Sequence, residues 1–316
     1  MTPDPSLAAL SDTLFSVAVG LYSLALVAFC AQLAFGRRPA RQLVAAGGPA
    51  LPAADEPTPG TEVSAEPEPG RRWGVVAVVL TTLGAAAHAG VLVARGMATD
   101  RLPWGNMYEF ATAAVLVGVV AYLAFAVRTP GLRHIGLFVI GPAVLGLVGI
   151  GLFLYAEAGP LVAALRSSWL AVHVTTAILG FGIFFVSGIA SVLYLLRSRA
   201  GAAPGGLVAR LPSAAALDKV AHRTAVFGFP IWTFAVMAGA IWAESAWGRF
   251  WGWDPKETWA FIAWVVYAAY LHARTTAGWR GRRAAWVNVV GLGVMVFNLL
   301  FVNMVSTGLH SYGGGS

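Results

Sequence analysis

WGRFWGWDPKETW, residues 247–259, places four tryptophans within thirteen positions. Apolar runs flank it on both sides, so the stretch reads as a short loop where two membrane-spanning helices meet water. The whole chain supports that frame. Its 316 residues are 58% hydrophobic and only 11% charged, with mean hydropathy +0.72. A soluble domain carries about 25% charged residues. The composition therefore predicts an all-α polytopic membrane protein, because lipid demands that each backbone satisfy its own hydrogen bonds. Eight stretches are long and apolar enough to span: 13–35, 73–94, 107–127, 135–156, 169–196, 224–243, 257–273 and 284–306. The seventh is the shortest and the fifth the longest, so the fifth is expected to tilt or project.

Three segments follow from this pattern: a first transmembrane helix within 1–35, a linker at 36–72, and a membrane domain over 73–313. The linker contains PALPAADEPTPGTEVSAEPEPG, rich in Pro, Ala and Glu without apolar periodicity, which reads as disordered. Residues 1–11 lack the basic start and cleavage site of a removable signal peptide. With the termini on one side, only Arg95, Arg101, Arg166, Arg249 and Lys256 of the 21 basic residues share that side. The other sixteen fall opposite, which marks the opposite side as cytoplasmic. Both termini and the Trp-rich loop are then extracytoplasmic, in a multi-pass protein of the cytoplasmic membrane. The net charge of +7 reflects this loop bias, so no nucleic-acid partner is implied. Cys30 is the only cysteine, which excludes a disulfide framework and a Cys-x-x-Cys redox pair.

Part of the loop is local helix chemistry. Asp254 stands at an N-cap, Pro255 at the first helical position and Glu257 three residues past the cap, the capping-box arrangement. NMYE opens the third span the same way, with Asn106 and Glu109. The tryptophans go further than an interfacial belt, which scatters aromatics over several helix ends. Trp247, Trp251, Trp253 and Trp259 crowd one loop around Gly248 and Gly252. Such a cluster suits a planar, mostly apolar ligand with a charged edge that Arg249 and Lys256 could meet. His173 lies one turn inside the outer end of span five, and His310 just past the outer end of span eight. Two imidazoles at the depth of an aromatic shelf suit haem iron. His272 and His88 should differ in depth by about 14 Å, from about 1.5 Å per helical residue and a core about 30 Å thick. They are not expected to share an iron. His222 and His134 adjoin arginines at the cytoplasmic edge and read as ordinary interfacial residues.

WGRFWGWDPKETWA resembles the WWD signature of haem-handling membrane proteins. Its WDPKETW form is most similar to the CcsA/ResC branch of System II cytochrome c biogenesis, also called CcsB in some actinobacteria. The sister branches CcmC and CcmF share the tryptophans and the aspartate. LPWGNMYEF, SSWLAVHV, GFPIWTFAVMAGAIWAESAWG, YLHARTTAGWRGRRAA and FVNMVSTGLHSYG extend the resemblance over roughly 73–313. It implies a holocytochrome c synthase (haem lyase) subunit working with a ResB-type membrane subunit. Haem b would pass from the cytoplasmic side to the external WWD site, where its vinyl groups form thioethers with the Cys-x-x-Cys-His motif of apocytochrome c. A thiol-reducing thioredoxin-like protein belongs to the same setting. His173 and His310 match the two external haem ligands, and His272 matches a ligand for haem within the membrane, its partner ligand coming from the ResB-type subunit. Position 222 departs from the family pattern. No residue of this chain is implied as a nucleophile, because the substrate cysteine is one. A haem exporter without ligation activity, a b-type electron-transfer cytochrome and a purely structural membrane subunit are the competing readings.

Overall fold

The computed structural model describes residues 3–35, 69–128, 133, 135–160, 167–200, 208, 211–276, 278–304 and 309. Among these, all regular structure is helical: α1 Pro5–Phe35, α2 Pro69–Thr99, α3 Met107–Arg128, α4 Gly136–Phe153, α5 Ser168–Arg199, α6 Ala214–Trp247, α7 Pro255–Thr275 and α8 Arg282–Met304. Each occupies one of the eight expected stretches, and the chain is a polytopic membrane protein. Most of the expected linker lies outside the described residues, as do His134, His310 and the terminal GGGS. The expected linker, 36–72, overlaps the start of α2, which begins at Pro69, so residues 69–72 are helical.

Seven helices are long and apolar enough to cross a membrane, and α7 is the exception. Its polar ends, with Lys256, Glu257, His272 and Arg274, dilute its apolar content. Both of its ends are nonetheless pinned to neighbouring helices. Lys256 in its first turn reaches the Asn298 carbonyl late in α8 at 3.0 Å, and Arg274 in its last turn makes a paired salt bridge to Asp218 early in α6 at 2.7 and 3.0 Å. The longest helix is α6, at 34 residues, and not α5, at 32; the shortest is α4, at 18, and not α7. Hydropathy locates the membrane-buried part of a helix but does not report how far it projects into water.

Two groups of four helices make up the molecule. One core joins α1 to α4 around Tyr22, Phe29, Tyr108, Tyr122, Ile140 and Leu147. The other joins α5, α6, α7 and α8 around Phe184, Trp232, Tyr267 and Met295. They meet where α3 lies along α5. Polar pins hold helices that lipid alone would not press together. Asn288 on α8 donates to the Ser187 carbonyl at 3.2 Å, to its hydroxyl at 2.8 Å and to Ser191 Oγ at 2.9 Å. Ser187 in turn donates to the Ala221 carbonyl of α6 at 2.7 Å.

At the α2–α3 corner, Glu109 is fully buried between Arg95 (3.1 Å) and Arg101 (2.8 Å). It also accepts from the Gly105 N–H at 2.7 Å, while Asn106 caps α3 by accepting from the Glu109 N–H at 2.9 Å. The expected cap is present, and the arginines counted as surface loop charges are instead spent on a buried carboxylate. Breaking a buried pair of this kind leaves an uncompensated charge and is strongly destabilising.

Candidate functional site

The Trp-rich loop takes its shape from its two ends. α6 terminates at Gly248, whose φ of 69° is left-handed and whose N–H returns to the Glu244 carbonyl at 2.8 Å. Glycine adopts that conformation without steric penalty. At the other end the expected capping box is complete. The Asp254 side chain accepts from the Lys256 N–H at 2.9 Å. The buried Glu257 carboxylate accepts from the N–H groups of Asp254 (3.1 Å) and Gly252 (2.8 Å) and from the Arg249 guanidinium (3.2 Å). Glu257 thus closes the loop onto the first turn of α7. Gly252 leaves room for Arg249 to lie across the loop, since a Cβ there would overlap the guanidinium. Trp253 holds a positive φ of 57°, a conformation that side chains other than glycine rarely adopt.

These turns divide the four tryptophans rather than aligning them as one shelf. Trp247 packs edge-on to Trp242 at 4.8 Å, beneath the Arg249 guanidinium. Trp259 packs against Phe297 of α8 at 4.4 Å. Trp251 turns inward and lines a cavity. Trp253 is 65% exposed and bridges Trp251 (5.8 Å) to Phe261 (6.1 Å). From Phe261 the aromatic row continues through Trp264 to Phe229. Adjacent side chains on one loop share a face only if the backbone lets them, and two left-handed residues in this loop prevent it.

The cavity, about 100 Å³, lies among α5, α6, α7 and α8 under the loop. His173, Trp232, Trp251, Lys256, Glu257 and Asn298 contribute to its wall. His173 enters from α5 and is held on α6. Its Nδ1 lies 2.8 Å from the Ala235 carbonyl oxygen, which only accepts, so Nδ1 carries the proton and Nε2 the lone pair. The ring stacks on Trp242 at 5.9 Å and 9°. Gly239 gives it space, because a Cβ there would come within 2.7 Å of the imidazole. An imidazole oriented by a backbone carbonyl through one nitrogen presents the other to a metal, the usual arrangement for a ligating histidine. Small-molecule sites usually span about 300–1,000 Å³, so the cavity as it stands is smaller than a macrocycle requires.

The remaining expected residues are placed as follows. Arg249 and Lys256, expected at a ligand's charged edge, are engaged by Glu257 and by the Asn298 carbonyl. Asp254 is buried, and its second oxygen accepts from the Leu309 N–H at 2.9 Å, so the residue before His310 is tied to the loop. His272 lies on the exposed stripe of α7 formed by Phe261, Val265, Ala269 and His272. His88 is fully buried, with Nδ1 3.3 Å from the Tyr22 hydroxyl. It sits between α1 and α2, whereas His272 is on α7. His222 is half-buried with its ring edge-on to Tyr270 at 6.2 Å. Among the described residues, no three His, Cys, Asp or Glu side chains gather as a metal-ion site. Trp242, Trp232 and the Ala235 carbonyl were not singled out from sequence. All three lie in GFPIWTFAVMAGAIWAESAWG, whose recurring tryptophans an apolar core also produces.

A model of cytochrome c assembly proteins matches residues 104–310. The cytochrome c biogenesis protein CcsA of Gloeobacter violaceus is 34% identical over 300 residues, covering 74% of this chain and 87% of that protein. CcsA of Synechococcus elongatus is 35% identical, covering 71% and 83%, and CcsA of Guillardia theta 36%, covering 71% and 80%. Among solved structures, the cytochrome c haem lyase CcmF superposes with a TM-score of 0.63 at 16% identity. That likeness covers 93% of this chain but only 46% of CcmF, and at this identity it concerns the fold.

Proposed function

Since this chain belongs to the cytochrome c assembly proteins, as a CcsA-type cytochrome c biogenesis protein, we propose that it carries haem b to the Trp-rich loop and holds it there for covalent attachment to apocytochrome c. The observation that carries this reading is His173. Its tautomer is set by Ala235, its ring is braced by Trp242, and it lines an aromatic cavity beneath the loop. His173 and His310 would hold the haem iron, and Trp251 with Trp253 would offer the apolar face for the porphyrin. His272 serves an earlier haem position within the membrane. Its place on the exposed stripe of α7 suits a second ligand from a ResB-type subunit. The loop faces outward, in keeping with the basic-residue asymmetry.

The chemistry asked of the chain is positioning. In each attachment a substrate Cys S–H adds across a haem vinyl group: a C–S bond forms, the C=C π bond is lost, and the proton goes to the neighbouring carbon. The addition is redox-neutral and occurs twice per haem. The protein supplies no nucleophile. It fixes the iron, stacks the ring and excludes water while the thiols approach. The substrate's own histidine then replaces one axial ligand and favours release.

The test is co-expression of this chain, its ResB-type partner and an apocytochrome bearing Cys-x-x-Cys-His, with covalent haem read on a denaturing gel. His173→Ala should abolish covalent haem at normal protein levels, and free imidazole should partly restore it. Normal maturation in His173→Ala would refute the ligand assignment. Haem bound at the loop with no covalent product from the wild-type pair would favour export without attachment.

A further inference from the structure

We propose that Asp254 is a positioning residue for His310, acting through a tether from its carboxylate to the backbone at Leu309. The proposal rests on the haem reading above for its functional consequence, but the tether itself does not.

The two carboxylate oxygens face different parts of the chain. Oδ1 accepts from the Lys256 N–H at 2.9 Å and caps α7. Oδ2 accepts from the Leu309 N–H at 2.9 Å, 55 residues away. A cap needs one acceptor, which serine or asparagine supplies equally well. The second oxygen explains why a carboxylate is used. Asn offers one oxygen and one NH2 group, so whichever way its amide turns, one of the two backbone N–H groups meets another donor. Asp254 is also buried, so its bonds are little screened by water, and hydrogen bonds to an ionised acceptor are roughly twice as strong as neutral ones. The positive end of the α7 dipole favours the charge in the same place.

What the tether holds is decided by the sequence. Leu309 immediately precedes His310, and consecutive Cα atoms are about 3.8 Å apart. Fixing the Leu309 amide at the first turn of α7 therefore limits how far His310 can stray from the loop. Two residues beyond Asp254, Lys256 donates to the Asn298 carbonyl at 3.0 Å, and Asn298 borders the His173 cavity. The charged start of α7 thus holds α8 at Asn298 and the backbone at Leu309. Asp254 does not need to touch the haem, whose carboxylates it would repel. It sets where the second ligand begins.

Two readouts test this on the full-length chain with its partner. The first is hydrogen exchange without haem, comparing wild type, Asp254→Asn and Asp254→Ala. In Asp254→Asn, peptides covering 305–312 should exchange at least tenfold faster while the first turn of α7 keeps its protection. Asp254→Ala should lose both. Unchanged exchange over 305–312 in Asp254→Asn would overturn the tether. The second uses ferric haem b as the probe. Asp254→Asn should shift haem at the loop towards the high-spin spectrum, imidazole should reverse the shift, and the change should not add to that of His310→Ala. Additive effects, or a loss that imidazole leaves untouched, would overturn the positioning role. If His173→Ala and His310→Ala themselves leave the spectrum unaltered, the haem reading fails while the exchange result still decides the tether.

Discussion

Removing Glu257 should open the Trp-rich loop without unfolding the helices. Its carboxylate accepts two backbone N–H groups, from Gly252 and Asp254, and pairs with Arg249. Leaving a buried donor unsatisfied costs about 1–3 kcal/mol, and a hydrogen bond to a charged group contributes about 1.5–3 kcal/mol. Arg249 is about one-third exposed, so water replaces much of its lost bond and its share falls towards the range of surface pairs. Gly252 is exposed, so the share of its amide is discounted in the same way, and the loop in Glu257→Ala should lose about 2–4 kcal/mol of local stability, mostly from the buried Asp254 amide. At about 1.4 kcal/mol per tenfold, local opening should become roughly 30- to 700-fold more frequent. Amide exchange at Gly252 and Asp254, measured in detergent or nanodiscs, reads this directly. Glu257→Gln, which retains one acceptor oxygen, should fall between wild type and Glu257→Ala. Helical amides in α6, before Gly248, should be unaffected. Wild-type exchange at both loop amides in Glu257→Ala would refute the closure mechanism.

Other consequences are equally direct. Gly239→Ala should displace the His173 ring, because its Cβ would sit 2.7 Å from the imidazole, and covalent haem yield should drop at least tenfold with little loss of protein. Trp251→Ala and Trp259→Ala should fail differently: the first should lower haem retention in a stably folded chain, whereas the second, by removing packing on Phe297, should lower thermal stability first. Thermal melts and haem content of both variants at matched expression check this. His272→Ala should reduce the haem reaching the loop several-fold, and His222→Ala should change it little; equal losses would remove the distinction between them. Asn288→Leu should destabilise the α5–α6–α8 contact by about 1–3 kcal/mol, the usual range for a buried partner left unsatisfied, as read by a lower melting temperature.

The parts legible in sequence were those governed by local rules. Eight apolar stretches became eight helices, because a run of that length has few other ways to satisfy its backbone in lipid. Asp254, Pro255 and Glu257 became a capping box because the interaction spans only three residues. The rest depended on contacts between distant parts of the chain. Nothing in Asp254 announces that its second oxygen meets Leu309. Arg95 and Arg101 looked like surface charges because Glu109, their buried partner, could be seen from sequence only as a helix-start residue. The four tryptophans looked like one surface because the left-handed turn at Trp253, a residue that does not favour it, carries no sequence signal. Depth alone singled out His173 as a candidate, and the orientation of its ring comes from a carbonyl 62 residues away, which no local pattern announces.

The most direct test is the low-temperature electron paramagnetic resonance spectrum of the purified ferric protein, prepared with its partner, for wild type and His173→Ala. The wild type should show a low-spin signal of two axial imidazoles from haem at the loop. His173→Ala should convert that signal to high spin, and added imidazole should restore the low-spin form. A low-spin spectrum unchanged by His173→Ala would contradict the claim that this histidine, oriented by Ala235 and braced by Trp242, holds the haem iron.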